Sequence, residues 1–205
     1  MQHMSMRQWL LGVMLLGSSA IGLAADLDVI VTDDAGRPVP EAVVYLTSSA
    51  ASAAVKPLQN AKISQKNKMF TPDVLVVTKD TAVHFPNEDT VRHHVYSFSP
   101  VKKFEIKLYV GTPAKPVVFD QPGVVVLGCN IHDHMVAWVV VLDTPYYTHT
   151  DPDGGATLLS IPPGNYQLNV WHKGLPVGAQ ELTQSVTITT TSASLDLALP
   201  NVNLP

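Results

Sequence analysis

The sequence predicts an all-β protein built from short strands, and three observations predict it. Apolar residues alternate with polar ones rather than recurring at a helical period. Sixteen prolines and twelve glycines punctuate the 205 residues. Hydrophobic residues reach 46% and charged residues only 15%, a balance that supports a packed core.

The first element is a leader. Arg7 supplies a positive start, Trp9 to Gly17 form a short apolar run, and small residues follow through Gly22-Leu23-Ala24-Ala25. This is the pattern of a secretory signal peptide over 1–25, and the run is too short to span a bilayer comfortably. No cysteine lies near the cleavage site for a lipid anchor. The expected mature chain starts near Ala25 or Asp26, is exported, and carries no membrane anchor.

Strands follow in order. Leu27 to Val31 alternates, Asp33-Asp34-Ala35-Gly36 forms a turn, and Ala42 to Leu46 is the next strand. Thr47 to Lys62 is Ala/Ser-rich and reads as an exposed linker. Further strands are expected at Val74–Val77, Thr81–Phe85, His94–Ser97, Phe104–Val110, Val124–Leu127 and Val136–Leu142. Phe104, Ile106 and Leu108 share one face of theirs. Asp151-Pro152-Asp153-Gly154-Gly155 is a turn whose two carboxylates serve turn formation rather than calcium. Tyr166–Trp171, Val186–Thr190 and Leu195–Leu199 complete the set.

Charge separates the middle from the ends. Residues 59–145 carry 9 basic and 8 acidic groups, whereas 26–58 and 146–205 together carry 3 and 9. The formal net charge of −4 gives no electrostatic footprint for nucleic acid.

Cys129 is the single cysteine, so it has no internal disulfide partner. Exported proteins pair their cysteines or dispense with them. The string Gly128-Cys129-Asn130-Ile131-His132-Asp133-His134-Met135 lies between two apolar strands. It offers a thiolate, an imidazole and a thioether within seven residues, soft or borderline donors that suit copper in both oxidation states. A second histidine is available in Asn87-Glu88-Asp89-Thr90-Val91-Arg92-His93-His94-Val95. Cys129 with His132 imitates a thiol nucleophile and its base, but their close spacing and Met135 point to a shared metal. No hydrolytic constellation is present, and the chain is expected not to be an enzyme.

These segments resemble the cupredoxins. Phe85-Pro86-Asn87 and His93-His94-Val95 match the segment around that family's first ligand histidine, with Arg92 where proline is usual. The Cys-x₂-His-x₂-Met run is similar to the short ligand loop of amicyanins, with Asp133 where amicyanin has proline. The resemblance spans 63–142. It implies a Greek-key β-sandwich holding one type I copper ion on His93, Cys129, His132 and Met135, with backbone N–H groups near the sulfur tuning the potential. His93 or His94 can fill the first position. Spacing from Asn87 favours His93. Alternation favours His94 if Tyr96 and Phe98, on the same face, are core. His134 is expected to be a bystander, and His84, His149 and His172 to be solvated. Tyr146 and Tyr147 are expected at the junction of two modules. Lys102, Lys103 and Lys107 are read as a solvated strand face.

The ends carry a second resemblance. "VTDDAGRPVPEAVVYL" and "TDPDGGATLLSIPPGNYQLNVW" look like halves of a carboxypeptidase regulatory-like (transthyretin-like) β-sandwich. Residues 26–58 and 146–205 would then form one module, with the 59–145 cupredoxin unit inserted in it. The function this implies is a periplasmic blue-copper electron carrier between redox proteins such as a dehydrogenase or a cytochrome. The alternative is a copper-binding or copper-delivery protein without an electron relay. A non-metal binding module would explain the outer segments alone.

Overall fold

A computed structural model describes residues 24–176 and 178–204. The leader expected over 1–25 lies almost wholly outside them. Among the described residues no helix is long and apolar enough to cross a membrane.

The chain is an all-β sandwich protein. Its first elements are β1 (Ala25–Thr32), β2 (Val43–Thr47), α1 (Ser49–Ala54), β3 (Ser64–Lys66), β4 (Met69–Thr71) and β5 (Val74–Thr78). Then come β6 (Thr81–Val83), β7 (His93–Ser97), β8 (Phe104–Tyr109), β9 (Val117–Phe119), β10 (Gly123–Gly128) and β11 (Val136–Leu142). The last are β12 (Tyr147–His149), β13 (Gly155–Ile161), β14 (Gly164–Trp171), β15 (Leu182–Ile188) and β16 (Ala193–Ala198).

Strands from both ends of the chain pair with each other. One sheet has the order β13-β1-β16 and a second the order β12-β2-β14-β15. Leu27, Val29, Val31, Leu46, Leu168 and Val170 fill the core between them. Burial alternates along β1, as expected of a strand with one face inward.

The middle of the chain forms a separate core. Its five-stranded sheet runs β5-β11-β10-β7-β8, with β5 parallel to β11. Two-stranded ribbons β3-β4 and β6-β9 supply Phe70, Val83 and Phe119, which pack with Val95, Leu127 and Val139 of the sheet. A third cluster joins the two assemblies: Val43 and Trp171 meet Val76, Val140 and Leu142.

Four local expectations change. The Ala/Ser-rich stretch contains helix α1 rather than being wholly linker. Ser48 caps it by accepting from Ala51 N at 3.1 Å, and Ala51 is buried. Leu108 is exposed, because the β7–β8 register shifts between His93 and Val95 and brings Tyr109 rather than Leu108 to the core. His172 is buried rather than solvated; its Nδ1 accepts from Gly174 N at 2.9 Å in the turn after β14. Tyr147 packs at the junction cluster, but Tyr146 stacks edge-on against Tyr166 in the first core.

Candidate metal centre

The site lies where two loops leave the five-stranded sheet. His93 opens β7 at the end of the loop that contains Asn87 and Asp89, and the loop between β10 and β11 carries Cys129, His132 and Met135. β10 and β11 are paired from Gly123↔Val141 to Gly128↔Val136, so the second loop is held at both ends. Met135 N donates to His132 O at 3.0 Å, closing the loop into a tight turn.

Asn87 pins the first loop. Its side-chain amide donates to Val91 O at 2.8 Å and Tyr109 O at 2.9 Å, while its Oδ1 accepts from Asp89 N at 3.0 Å. Tyr109 fixes the neighbouring backbone by donating to Phe85 O at 2.7 Å. Burial raises the Tyr109 phenol well above its usual range, so this hydroxyl stays a donor.

His93 is fully buried. Its Nε2 lies 2.7 Å from Asp89 Oδ2. A carboxylate only accepts, so Nε2 carries a proton, and in the neutral ring Nδ1 keeps its lone pair. That Nδ1 is buried without a hydrogen-bond partner. An orphaned buried nitrogen costs free energy unless something else engages it.

Cys129 Sγ and His132 Nδ1 lie 3.7 Å apart. One donor atom each of His93, Cys129 and His132 falls within 4.8 Å of the other two. The His93 and His132 rings are 5.0 Å apart between centroids. His132 is partly exposed, while Cys129 and Met135 are buried within the same core cluster. Burial first, then His93 and Lys68, hold the His132 imidazole below its ordinary pKa. A low pKa keeps the ring neutral and its lone pair available.

The residues fit a metal ion. The set offers one sulfur and two imidazole nitrogens, with a buried thioether three residues further along the chain. Those are donors for a soft or borderline transition metal.

The structure separates the two adjacent histidines. Core-facing positions on β7 are His93, Val95 and Ser97, all buried. Tyr96 is half-buried and Phe98 is 78% exposed, so they are not core, and alternation no longer favours His94. His94 lies beside Tyr96, with ring centroids 5.6 Å apart, and its Nε2 meets Glu105 Oε1 at 2.9 Å. His134 does not join the donor group; its Nε2–H donates to Lys68 O at 3.0 Å.

A family model described as polysaccharide lyase family 4, domain II matches residues 132–195. No curated protein sequence matches the chain. Several solved structures are similar to part of it. A purple cupredoxin from Nitrosopumilus maritimus is 22% identical with a TM-score of 0.37, over 40% of this chain and 100% of that one. A reduced Cu(I) form of an amicyanin variant is 19% identical with a TM-score of 0.38, over 48% and 98%. A Cu-containing nitrite reductase from Thermus scotoductus SA-01 is 23% identical with a TM-score of 0.39, over 56% of this chain and 28% of that one. The donor set, not these likenesses, defines what the site can bind.

Sequence reasoning missed Asp89 and the β3-β4 turn. Asp89 also accepts from Asn67 N at 2.7 Å and Lys68 N at 2.9 Å. The same Lys68 supplies the carbonyl that holds His134. This two-residue turn therefore ties the two ligand loops together. Asn67 and Lys68 both have positive φ, 55° and 56°, as a tight hairpin turn requires. The signal available was an acid four residues before His93 and an asparagine between two short runs.

Proposed function

We propose that the chain binds one type I copper ion through His93, Cys129, His132 and Met135, and carries electrons between redox proteins in the periplasm. The observation that carries this reading is a fully buried His93 whose Nδ1 has no hydrogen-bond partner, with one donor atom each of His93, Cys129 and His132 within 4.8 Å of one another. Bound there, copper supplies a Cu(II)/Cu(I) couple. The protein does the rest. Asp89 holds His93 in one tautomer, the paired strands β10 and β11 hold the Cys–His–Met loop, and the buried core excludes water from the sulfur. Such a frame keeps donor positions nearly constant when charge changes. The partly exposed His132 gives the centre an edge to solvent, where a dehydrogenase or cytochrome docks. On this reading the chain is a carrier and turns over no substrate of its own.

Support for copper over zinc comes from Met135, a thioether that zinc sites do not use. The test is the visible spectrum of the copper-loaded chain. An intense thiolate-to-copper band is expected, and it disappears in Cys129→Ser. Absence of the band, or its survival in that variant, refutes the reading. A reversible potential with fast self-exchange separates a carrier from a copper-delivery protein, which would instead release its metal readily to a competing chelator.

A further inference from the structure

We propose that the open half of the five-stranded sheet binds a small hydroxylated aromatic compound beside the metal centre. The outer face of this sheet is divided. On the β5, β11 and β10 side, Val76, Val140 and Leu142 are covered by Val43 and Trp171. On the β7 and β8 side, a groove of about 590 Å³ remains open, lined by His94, Tyr96, Phe98, Lys103, Glu105 and Asn130.

Its size and lining select the occupant. The volume falls in the range of small-molecule pockets and suits a compound of one or two rings. Three rings form a ladder, with centroids 5.6 Å apart from His94 to Tyr96 and 5.2 Å from Tyr96 to Phe98. Those spacings suit offset or tilted aromatic contact, and a further ring extends the ladder on the same terms. Phe98 ends it at 78% exposure, so a large aromatic surface is continuous with the groove rather than isolated.

Polar groups around the ladder set the substituents. Glu105 uses Oε1 on His94 Nε2 at 2.9 Å, leaving Oε2 to accept from a hydroxyl. Lys103 supplies an exposed cation and Asn130 an amide, which together favour a second oxygen function on the ring. The groove also reaches the metal loop. Tyr96 pairs with Gly128, the residue before Cys129, and its ring lies so close that a Cβ there would be 2.8 Å from Tyr96 Cζ.

The test is a titration of the isotope-labelled full chain with 4-hydroxybenzoate, followed by nuclear magnetic resonance. It is run on the metal-free and the diamagnetic Cu(I)-loaded forms. Saturable shifts confined to His94, Tyr96, Phe98, Glu105 and Asn130 are expected in both. Phe98→Ala and Lys103→Ala, both at exposed positions, each weaken binding about 2- to 10-fold. Absence of saturable shifts at millimolar probe overturns the proposal. So do equal shifts with cyclohexanecarboxylate, which has the charge but no ring face. Because the metal-free form is read directly, failure of the copper assignment leaves this outcome intact.

Discussion

Asp89 Oδ2 accepts from His93 Nε2 at 2.7 Å, and the opposite nitrogen of this fully buried ring, which groups with Cys129 and His132, has no hydrogen-bond partner. Burial pushes the Asp89 carboxyl up. The Lys68 amide, His93 and the Asn67 amide outweigh that and hold it below the usual carboxylate range. Asp89 is therefore ionised when it orients the ring. Partners of this kind are worth about 10- to 100-fold in metal affinity. Asp89→Ala is expected to weaken copper binding by that factor in a chelator competition. Asp89→Asn retains an oxygen acceptor for His93 and loses less. Equal affinity in wild type and Asp89→Ala would show that the loop alone fixes His93.

Gly128 has a role set by space, not by backbone angle. A Cβ there would meet Tyr96 Cζ at 2.8 Å and Tyr96 Oη at 2.9 Å. Gly128→Ala must displace the tyrosine ring or strain the strand that delivers Cys129. A cost of about 1–3 kcal/mol is expected from such overpacking. Chemical denaturation of Gly128→Ala, Tyr96→Leu and the double variant measures it. The double variant should recover much of the loss, since removing the ring removes the clash. Additive losses would place the strain elsewhere.

Much of this centre was legible in sequence because its donors are chemically rare. One cysteine, a histidine three residues on and a methionine three beyond that need no tertiary information to stand out. Most strands were legible too, since period-2 alternation records which face is inward. His94 against His93 was not. That choice depends on whether Tyr96 and Phe98 are core, and aromatic residues read as core unless a groove is there to expose them. Leu108 failed for a related reason: a register shift in β8 breaks alternation without changing residue type. The tie between Asp89 and the Asn67–Lys68 turn was invisible because it crosses more than twenty residues of chain, and only the acid's place four residues before His93 hinted at its role.

His172 predicts a pH dependence independent of the metal. Burial, and then Lys173, lower its pKa, against smaller opposing effects from Glu41 and the Pro40 carbonyl. Its neutral Nδ1 accepts from Gly174 N at 2.9 Å. A depressed histidine pKa stabilises the fold fully above the unfolded value of about 6.5. That contribution is lost as pH falls through the lower folded value. The melting temperature of the metal-free chain should fall as pH drops below about 6.5. His172→Gln should flatten that slope. An unchanged slope in the variant assigns the effect to other groups.

Met135 allows packing and chemistry to be separated. It is 1% exposed and packs in the same core as Cys129, Leu127 and Ala137. Met135→Ala opens a cavity and should cost about 2–5 kcal/mol. Met135→Leu keeps an apolar side chain of similar volume and should cost less than about 1.5 kcal/mol. Leucine has no donor atom, so if the thioether is the weak axial ligand, the reduction potential of the loaded protein must change. A rise is expected, because losing a donor destabilises Cu(II) more than Cu(I). Denaturation and voltammetry on the leucine variant decide the point together. A small stability loss with a raised potential identifies a ligand. The same small loss with an unmoved potential identifies a core residue that only adjoins the metal.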